Sequence, residues 1–359
     1  METIHETILE VNIKSLKNNL SYLKNKLRSN TKIIAVVKAY AYGHGDIIIA
    51  KQLEEFGVHA LWVADFEEGS RLRESGVKIP VIIANPGTKS IKKIIENKLD
   101  IVIYNFELLK IYGELNKEIN IHIKFNTGMN RYGFNPDEVQ QLVQTLKKYP
   151  TLKIQSICSH LAASDKPKKD EFTKNQFQVF ESISNLFFEG IGHKVDRHIL
   201  NTNGVLRFAE KEYEIVRLGI GIYGVGNDKN LQEISTLKSV LTQVRKIKKG
   251  ESIGYDASFI AKKEMKIGVI PFGYADGLNR KLSNENGLIM VQNIPCPIIG
   301  KISMDSCIID LENTTAEIGE EVIIFGKENT ILSIAEKLTT IPYEIYATLN
   351  RRIKRVYSF

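Results

Sequence analysis

Between residues 32 and 218, short apolar runs of β type alternate with helix-period segments, and this alternation constrains the fold more than any other feature of the chain. The runs are KIIAVVKA at 32–39, LWVA at 61–64, PVIIA at 80–84, IVIY at 101–104, INIHIKF at 119–125, KIQSIC at 153–158, KVDRHIL at 194–200 and YEIVRL at 213–218. Helical spacing fills the gaps near 46–56, 66–75, 88–97, 106–116 and 136–148, with a long helix through 170–188 and a short one before the last run. Strands separated by helices pair in parallel, and eight of them predict a closed (β/α)8 barrel. An open doubly wound sheet is the rival, but it more often has fewer strands.

An amphipathic helix over 13–28 precedes the series, with Ile13, Leu16, Leu20, Leu23 and Leu27 on one stripe. After about residue 230 the pattern changes. LKSVLTQVRKI, KIGVIPFGY, LIMVQN, CPIIGKIS, SCIIDL and EEVIIFG follow one another with turns such as KKGE and SNENG and no helices between. Short strands at this spacing predict a mostly antiparallel β domain. Two helical stretches, ILSIAEKL and PYEIYATL, and a final strand close the chain. The expected division is therefore a barrel over 1–230 and a β-rich domain over 231–359.

Composition excludes several classes. A hydrophobic fraction of 43% with 25% charged residues excludes a disordered chain. No apolar run approaches the roughly 18–20 residues that span a bilayer, so no membrane partner is expected. The N-terminal METIHETILEVNIKSL has acids where a secretory signal has a basic end and an apolar centre. The three cysteines, Cys158, Cys296 and Cys307, are odd in number and lack metal-ligand spacing, which predicts a reducing, cytoplasmic setting and no metal. The net charge of +7 hints at nucleic acid, yet 49 basic residues are interleaved with 42 acidic ones. The densest basic run, in RRIKRVYSF, reads as a charged edge strand, and no nucleic-acid motif accompanies it. No nucleic-acid partner is expected.

Active sites of (β/α)8 barrels lie at the C-terminal ends of the strands. There the first run ends at Lys38 and the fifth at Lys124; the sixth stops just before His160, the seventh near His198 and the eighth at Arg217. Five ionisable side chains would converge on one mouth. A lysine between an apolar strand and a loop of small and aromatic residues, as in AVVKAYAYGHG, can have its pKa lowered enough to act as a nucleophilic amine. The residue types alone favour a lysine that reaches from the strand end to solvent. GIGIYG at 219–224 matches GxGxxG but follows the last barrel strand instead of opening a βαβ unit. Barrels often bind phosphate in the loops after strands 7 and 8, so Asn201, Thr202, Gly219 and Ile220 read as a phosphate cradle. A cofactor lysine, a phosphate cradle and a pocket-floor arginine suggest a pyridoxal phosphate enzyme.

At these residues the sequence resembles the alanine racemase family. AVVKAYAYGHG is similar to its cofactor-lysine signature, IKFNTGMNRYGF to its central arginine motif and VRLGIGIYG to its pyridine-arginine motif. GYDAS, VIPFGYADG and GKISMD resemble its C-terminal segments, and all six occur in family order over nearly the whole chain. The resemblance implies a homodimer with shared active sites that interconverts L- and D-alanine and supplies D-alanine for peptidoglycan. It implies pyridoxal 5'-phosphate on Lys38, with Tyr42 and His160 beside it, Thr202, Gly219 and Ile220 at the phosphate, and Arg217, supported by His198, against the pyridine nitrogen. Lys38 on the D-alanine side and Tyr255 of a partner subunit on the L-alanine side would be the two bases. Arg131 and the backbone at Met304 would receive the substrate carboxylate, with Lys124, the family's often carbamylated lysine, and Asp305 in support. Asp165, Tyr274 and Arg280 would line the entrance.

Four positions depart from the family pattern. Tyr40 replaces a small acid or amide, Asn126 replaces Asp, Asp256 replaces Gly, and Arg351 stands where some members have a phosphate-contacting tyrosine. The departure at Tyr40 leaves open a racemase of another amino acid, such as serine or lysine, on the same fold. A binding protein for the cofactor without turnover is a third reading, against which the domain carrying Tyr255 argues.

Overall fold

A computed structural model describes residues 4–226 and 228–359. The first three residues and Asn227, all inside the span expected of the barrel, lie outside the described residues. Contacts divide the chain into two units, one of residues 17–41 and 46–231, the other of residues 4–16, 42–45 and 232–359.

The first unit is the expected barrel. Its strands are β2 (Lys32–Val36), β3 (Ala60–Val63), β4 (Val81–Ile83), β5 (Asp100–Ile103), β6 (Ile119–Lys124), β7 (Leu152–Cys158), β8 (Asp196–His198) and β9 (Ile215–Leu218), β1 belonging to the other unit. They pair in parallel in the order β8-β7-β6-β5-β4-β3-β2-β9, and the remaining gap is bridged by Arg217 N–H donating to Leu200 O at 2.9 Å. The runs are short and apolar because both faces of a parallel strand are covered, one by helices and one by the barrel interior. Ile34, Ala60, Trp62, Ile82, Val102, Cys158 and Ile215 meet in that interior. Helices over Asp46–Glu55, Phe66–Glu74, Ile91–Glu96, Phe106–Glu114, Val139–Leu146, Asp170–Ile191 and Thr202–Phe208 form the connections. Asp65 and Asn105 accept from first-turn N–H groups and so fix where two of those helices begin.

The second unit holds a nine-stranded sheet in the order β11-β14-β17-β16-β15-β18-β10-β1-β19. Its members are β1 (Ile8–Asn12), β10 (Ser235–Val240), β11 (Gln243–Ile247), β14 (Met265–Ile270), β15 (Leu288–Val291), β16 (Ile294–Ile299), β17 (Cys307–Asp310), β18 (Glu321–Phe325) and β19 (Lys354–Ser358). The short β12 (Ser252–Ile253) and β13 (Phe259–Ile260) form a separate ribbon. Every pair is antiparallel except β1 with β19. The basic C-terminal run is an edge strand, as expected, but Arg355 is not a surface charge there. It is buried and donates to the carbonyls of Gly43, Leu349, Asn350 and Ile353.

One expectation is corrected. The division at residue 230 assigned β1 to the barrel, whereas Ile8–Asn12 pair with Ser235–Val240 and with Lys354–Ser358. Leu9 and Val11 are buried in that sheet, and their partners stand more than 200 residues away, beyond the reach of a local pattern.

Candidate functional site

Immediately after β2 the backbone does something costly. Ala39, Tyr40, Ala41 and Tyr42 all adopt left-handed φ values between 52 and 58°. Each such residue costs about 1–2 kcal/mol, so the turn persists only because its surroundings impose it. Ala41 N–H returns to Val37 O at 2.9 Å. Glu68, on the helix after β3, accepts from Ala39 N–H at 2.7 Å with one carboxylate oxygen and from Ala64 N–H at 2.8 Å with the other. That clamp presents Lys38 at the strand end. Burial, followed by the nearby guanidinium of Arg131, holds the Lys38 amine below its ordinary value; the Glu68 carboxylate acts in the opposite direction. Tyr42, at the end of the turn, falls in the second unit, buried with its ring 5.8 Å from that of Tyr343.

Four further expected residues of the barrel crowd the same mouth. Lys124 ends β6, and burial among Arg217, Arg131 and Lys38 lowers it to about 8. His160 follows β7 and His198 ends β8, and burial, then Arg217, holds both rings neutral far below the usual histidine value. Arg217 of β9 is buried and donates to His198 Nδ1 at 2.5 Å, to His160 Nδ1 at 3.1 Å and to Ser159 O at 2.5 Å. The Trp62 ring lies 5.5 Å from the guanidinium and 6.0 Å from the His198 ring.

Arg131 rides on the loop after β6. Asn126 ties that loop together, donating to Asn130 and Asn135 side chains and accepting from the N–H groups of Gly128 and Asn130. An amide can donate and accept at once, which gives the departure from Asp a local reason. At Gly133, φ is +121° and a Cβ would meet the Phe125 carbonyl carbon at 2.5 Å, so only glycine lets Phe134 bridge back to Lys124 O.

The two loop ends expected to hold a phosphate meet each other. Thr202 Oγ1 accepts from Gly219 N–H at 3.1 Å and Gly221 N–H at 3.3 Å, which leaves its hydroxyl hydrogen available to an anion. A Cβ on Gly221 would sit 2.3 Å from Thr202 Cγ2, so glycine keeps the two loops in register. Ile220 opens the helical turn Ile220–Tyr223, whose first N–H groups have no carbonyl of the turn to bond. A carbonyl-bearing phosphate cofactor needs an amine with a lowered pKa, a polar cradle and a fixed group for its ring nitrogen. Lys38, the Thr202–Ile220 loops and Arg217 fit all three.

The remaining predicted residues stand elsewhere. Asp165 pairs with Lys166 at 3.1 Å on the barrel. Tyr255, Met304 and Tyr274 belong to the second unit and are 63%, 54% and 42% exposed. Asp305 accepts from Arg352 at 2.7 Å, Arg280 lies 5.9 Å from the Tyr274 ring, and the Asp256 carboxylate pairs with Lys301. Glu68, Ser156, His122 and Asp100 were not anticipated. The alternation INIHIKF carried a signal, because His122 shares a strand face with Lys124. Among the described residues, no group of three or more His, Cys, Asp or Glu is placed to hold a metal.

Two family models cover the chain: the alanine racemase N-terminal domain over residues 11–227 and the alanine racemase C-terminal domain over 234–357. The chain belongs to the alanine racemase family. Among curated relatives, alanine racemase 2 of Caldanaerobacter subterraneus subsp. tengcongensis is 34% identical over 376 residues, covering 100% of this chain and 96% of its own. The solved alanine racemase of Clostridium difficile 630 superposes with a TM-score of 0.94 at 29% identity, covering 99% of this chain and 97% of that one. The alanine racemase of Bartonella henselae, solved with covalently bound pyridoxal phosphate, matches with a TM-score of 0.90 at 26% identity and covers 99% and 100%. Alanine racemases are pyridoxal phosphate enzymes, and the residues assembled at the barrel mouth suit that cofactor.

Proposed function

We propose that this alanine racemase family member interconverts L- and D-alanine with pyridoxal 5'-phosphate held on Lys38, as a cytoplasmic homodimer that supplies D-alanine for peptidoglycan. The observation that carries the reading is the convergence of a lowered-pKa Lys38 with a buried, clamped Arg217 on one barrel mouth. When bound, the cofactor withdraws electrons from the amino acid Cα and so acidifies its hydrogen.

The chain's own residues do the rest. Thr202, Gly219 and Ile220 hold the phosphate. Arg217 faces the ring nitrogen, and a guanidinium keeps its protons, so it does not deliver one to the ring. Arg217 would thereby leave a bound ring a weaker electron sink than an acidic partner would, which limits side reactions. Tyr42, His160 and His198 support the cofactor from around the mouth. Arg131 and the backbone at Met304 bind the substrate carboxylate, with Asp305 holding its segment through Arg352. Lys124, lowered to about 8, has a larger neutral fraction near neutral pH than an ordinary lysine, and carbamylation requires the neutral amine; the resulting anion would orient Arg131.

Inversion needs a base on each face of Cα, one to remove the proton and one to return it. Lys38 serves the D-alanine side. Tyr255 serves the L-alanine side from a partner subunit, a role supported by its 63% exposure on this chain. Asp165, Tyr274 and Arg280 line the entrance. Incubation with alanine in deuterated water tests the reading: deuterium enters Cα of both enantiomers, and a binding protein would leave Cα unlabelled. Parallel assays on serine and lysine test the choice of substrate.

A further inference from the structure

Arg217 is 5% exposed, and its contacts among the described residues are His198, Ser159, His160, Ile199 and Trp62, with no carboxylate. A buried cation with only neutral partners is unfavourable, so its counter-charge must lie farther away. The hydrogen bonds lead to it. A guanidinium only donates, so His198 Nδ1, 2.5 Å from Nη1, must accept, and the hydrogen of that neutral ring sits on Nε2. His198 Nε2 stands 2.8 Å from Ser156 Oγ, which accepts from it and has a hydrogen of its own to give to His122 Nδ1 at 2.6 Å. His122 Nε2 makes no hydrogen bond among the described residues and faces the Asp100 carboxylate, whose Oδ2 stands 3.6 Å away. Asp100 is itself 7% exposed and accepts from Asn120 Nδ2 at 3.1 Å. These contacts cross β9, β8, β7, β6 and β5 in turn, hydrogen-bonded from Arg217 to His122 and closed by the charge contact to Asp100.

We propose that Asp100 is the remote counter-charge of Arg217, and that His122, Ser156 and His198 are positioning residues which transmit its field and hold the guanidinium in one orientation. Donation runs one way from Arg217 to His122 in this arrangement, so each bond polarises the next, and the Asp100 carboxylate acts on His122 through its field across 3.6 Å. The carboxylate makes His198 a stronger acceptor and keeps the Nη1 hydrogen directed at it, leaving the other nitrogen to Ser159 and His160. Only the effect on turnover rests on the proposed placement of Arg217 against the cofactor ring; the relay itself does not.

The test is ¹⁵N-histidine NMR of the full chain loaded with pyridoxal phosphate. The His198 hydrogen is expected on Nε2, with His122 Nδ1 accepting from Ser156. Asp100→Asn should shift the His198 resonances, and the same change made together with Ser156→Ala should leave them where Ser156→Ala alone puts them. Ser156→Ala should also shift the visible band of the bound cofactor and lower kcat about tenfold with KM nearly unchanged, and Ser156→Thr should restore both. A His198 hydrogen on Nδ1, or an equal response to Asp100→Asn with and without Ser156, overturns the proposal. Should Asp100→Asn fail to fold, His122→Gln breaks the same chain one step nearer Arg217. An intact NMR response with an unmoved cofactor band and kcat supports the relay and rejects the placement of Arg217 at the ring.

Discussion

The half of the barrel interior lined by β2 to β5 and the half lined by β6 to β9 are built from opposite chemistry. On the first, Ile34, Val36, Ala60, Trp62, Ile82, Ala84 and Val102 form an apolar surface, with buried Asp100 at the start of β5 as an ionisable exception. On the second, His122, Lys124, Ser156, His198 and Arg217 are hydrogen-bonded or mutually repelling. Burial of apolar area is nondirectional, so the first half needs only the right sizes in the right places. The second half depends on direction as well, because an unpaired buried polar group costs about 1–3 kcal/mol, a cost that His122 Nε2 meets only with a 3.6 Å charge contact to Asp100. Stability is concentrated in one half and chemistry in the other. Lys38 stands at the end of β2, where the rigid half delivers a reactive amine to the polar one.

The comparison can be broken by substitution. The largest effect expected is loss of all racemisation and of the visible cofactor band in Lys38→Ala; a retained band removes the lysine from its role. Next, Ile82→Ala should destabilise the fold by about 2–5 kcal/mol while changing kcat less than about threefold, read by denaturant unfolding and steady-state kinetics. A kcat loss comparable to that of Arg217→Lys would erase the distinction between the halves.

A change of pH separates the halves without mutation. His160 and His198 are held neutral in the native state far below the usual value, so between about pH 6.5 and 5.5 the unfolded chain takes up protons that the folded one does not. Stability is complete above the unfolded value and falls as pH drops through that window, by up to about 1.4 kcal/mol per ring per pH unit. His198→Gln should flatten this slope, measured as Tm at pH 7.5 and 5.5; an unchanged slope would place the charge uptake elsewhere.

Two smaller effects sharpen the picture. Glu68→Gln keeps its size but replaces one accepting oxygen with a donor, which opposes an N–H of the left-handed turn. It should lower kcat about tenfold, the scale of one lost charged hydrogen bond, while Tm changes little. Asn126→Asp forces the Asn130 and Asn135 amides to rotate, and KM for alanine should rise no more than about threefold because Arg131 rides on that loop.

The left-handed turn shows why part of the site was hidden in the sequence. KAYAY has no glycine and no turn signature, so nothing local announces four positive φ values in a row. Glu68 reads as one acid among several on a helix face, and its partners Ala39 and Ala64 become neighbours only when β2 pairs with β3. By contrast Lys38, Lys124, His160, His198 and Arg217 were legible, because strand ends in a barrel share one rim wherever the strands are correctly counted.

The period-2 and period-3.6 patterns by themselves determined the barrel, the β-rich second unit and the rim residues, because burial of alternating faces is decided within each segment. Pairing across segments was decided only by the tertiary structure. β1 joins β19 across the length of the chain. Between β6 and β7 the register shifts after Ile121 and Ile154, so that Gln155 is passed over and Ser156 stands opposite His122. That bulge re-aims one hydroxyl into the polar half of the interior and completes the chain from Asp100 to Arg217. An extra residue in a strand has no local signature, since its position is set by the hydrogen bonds of the neighbouring strand.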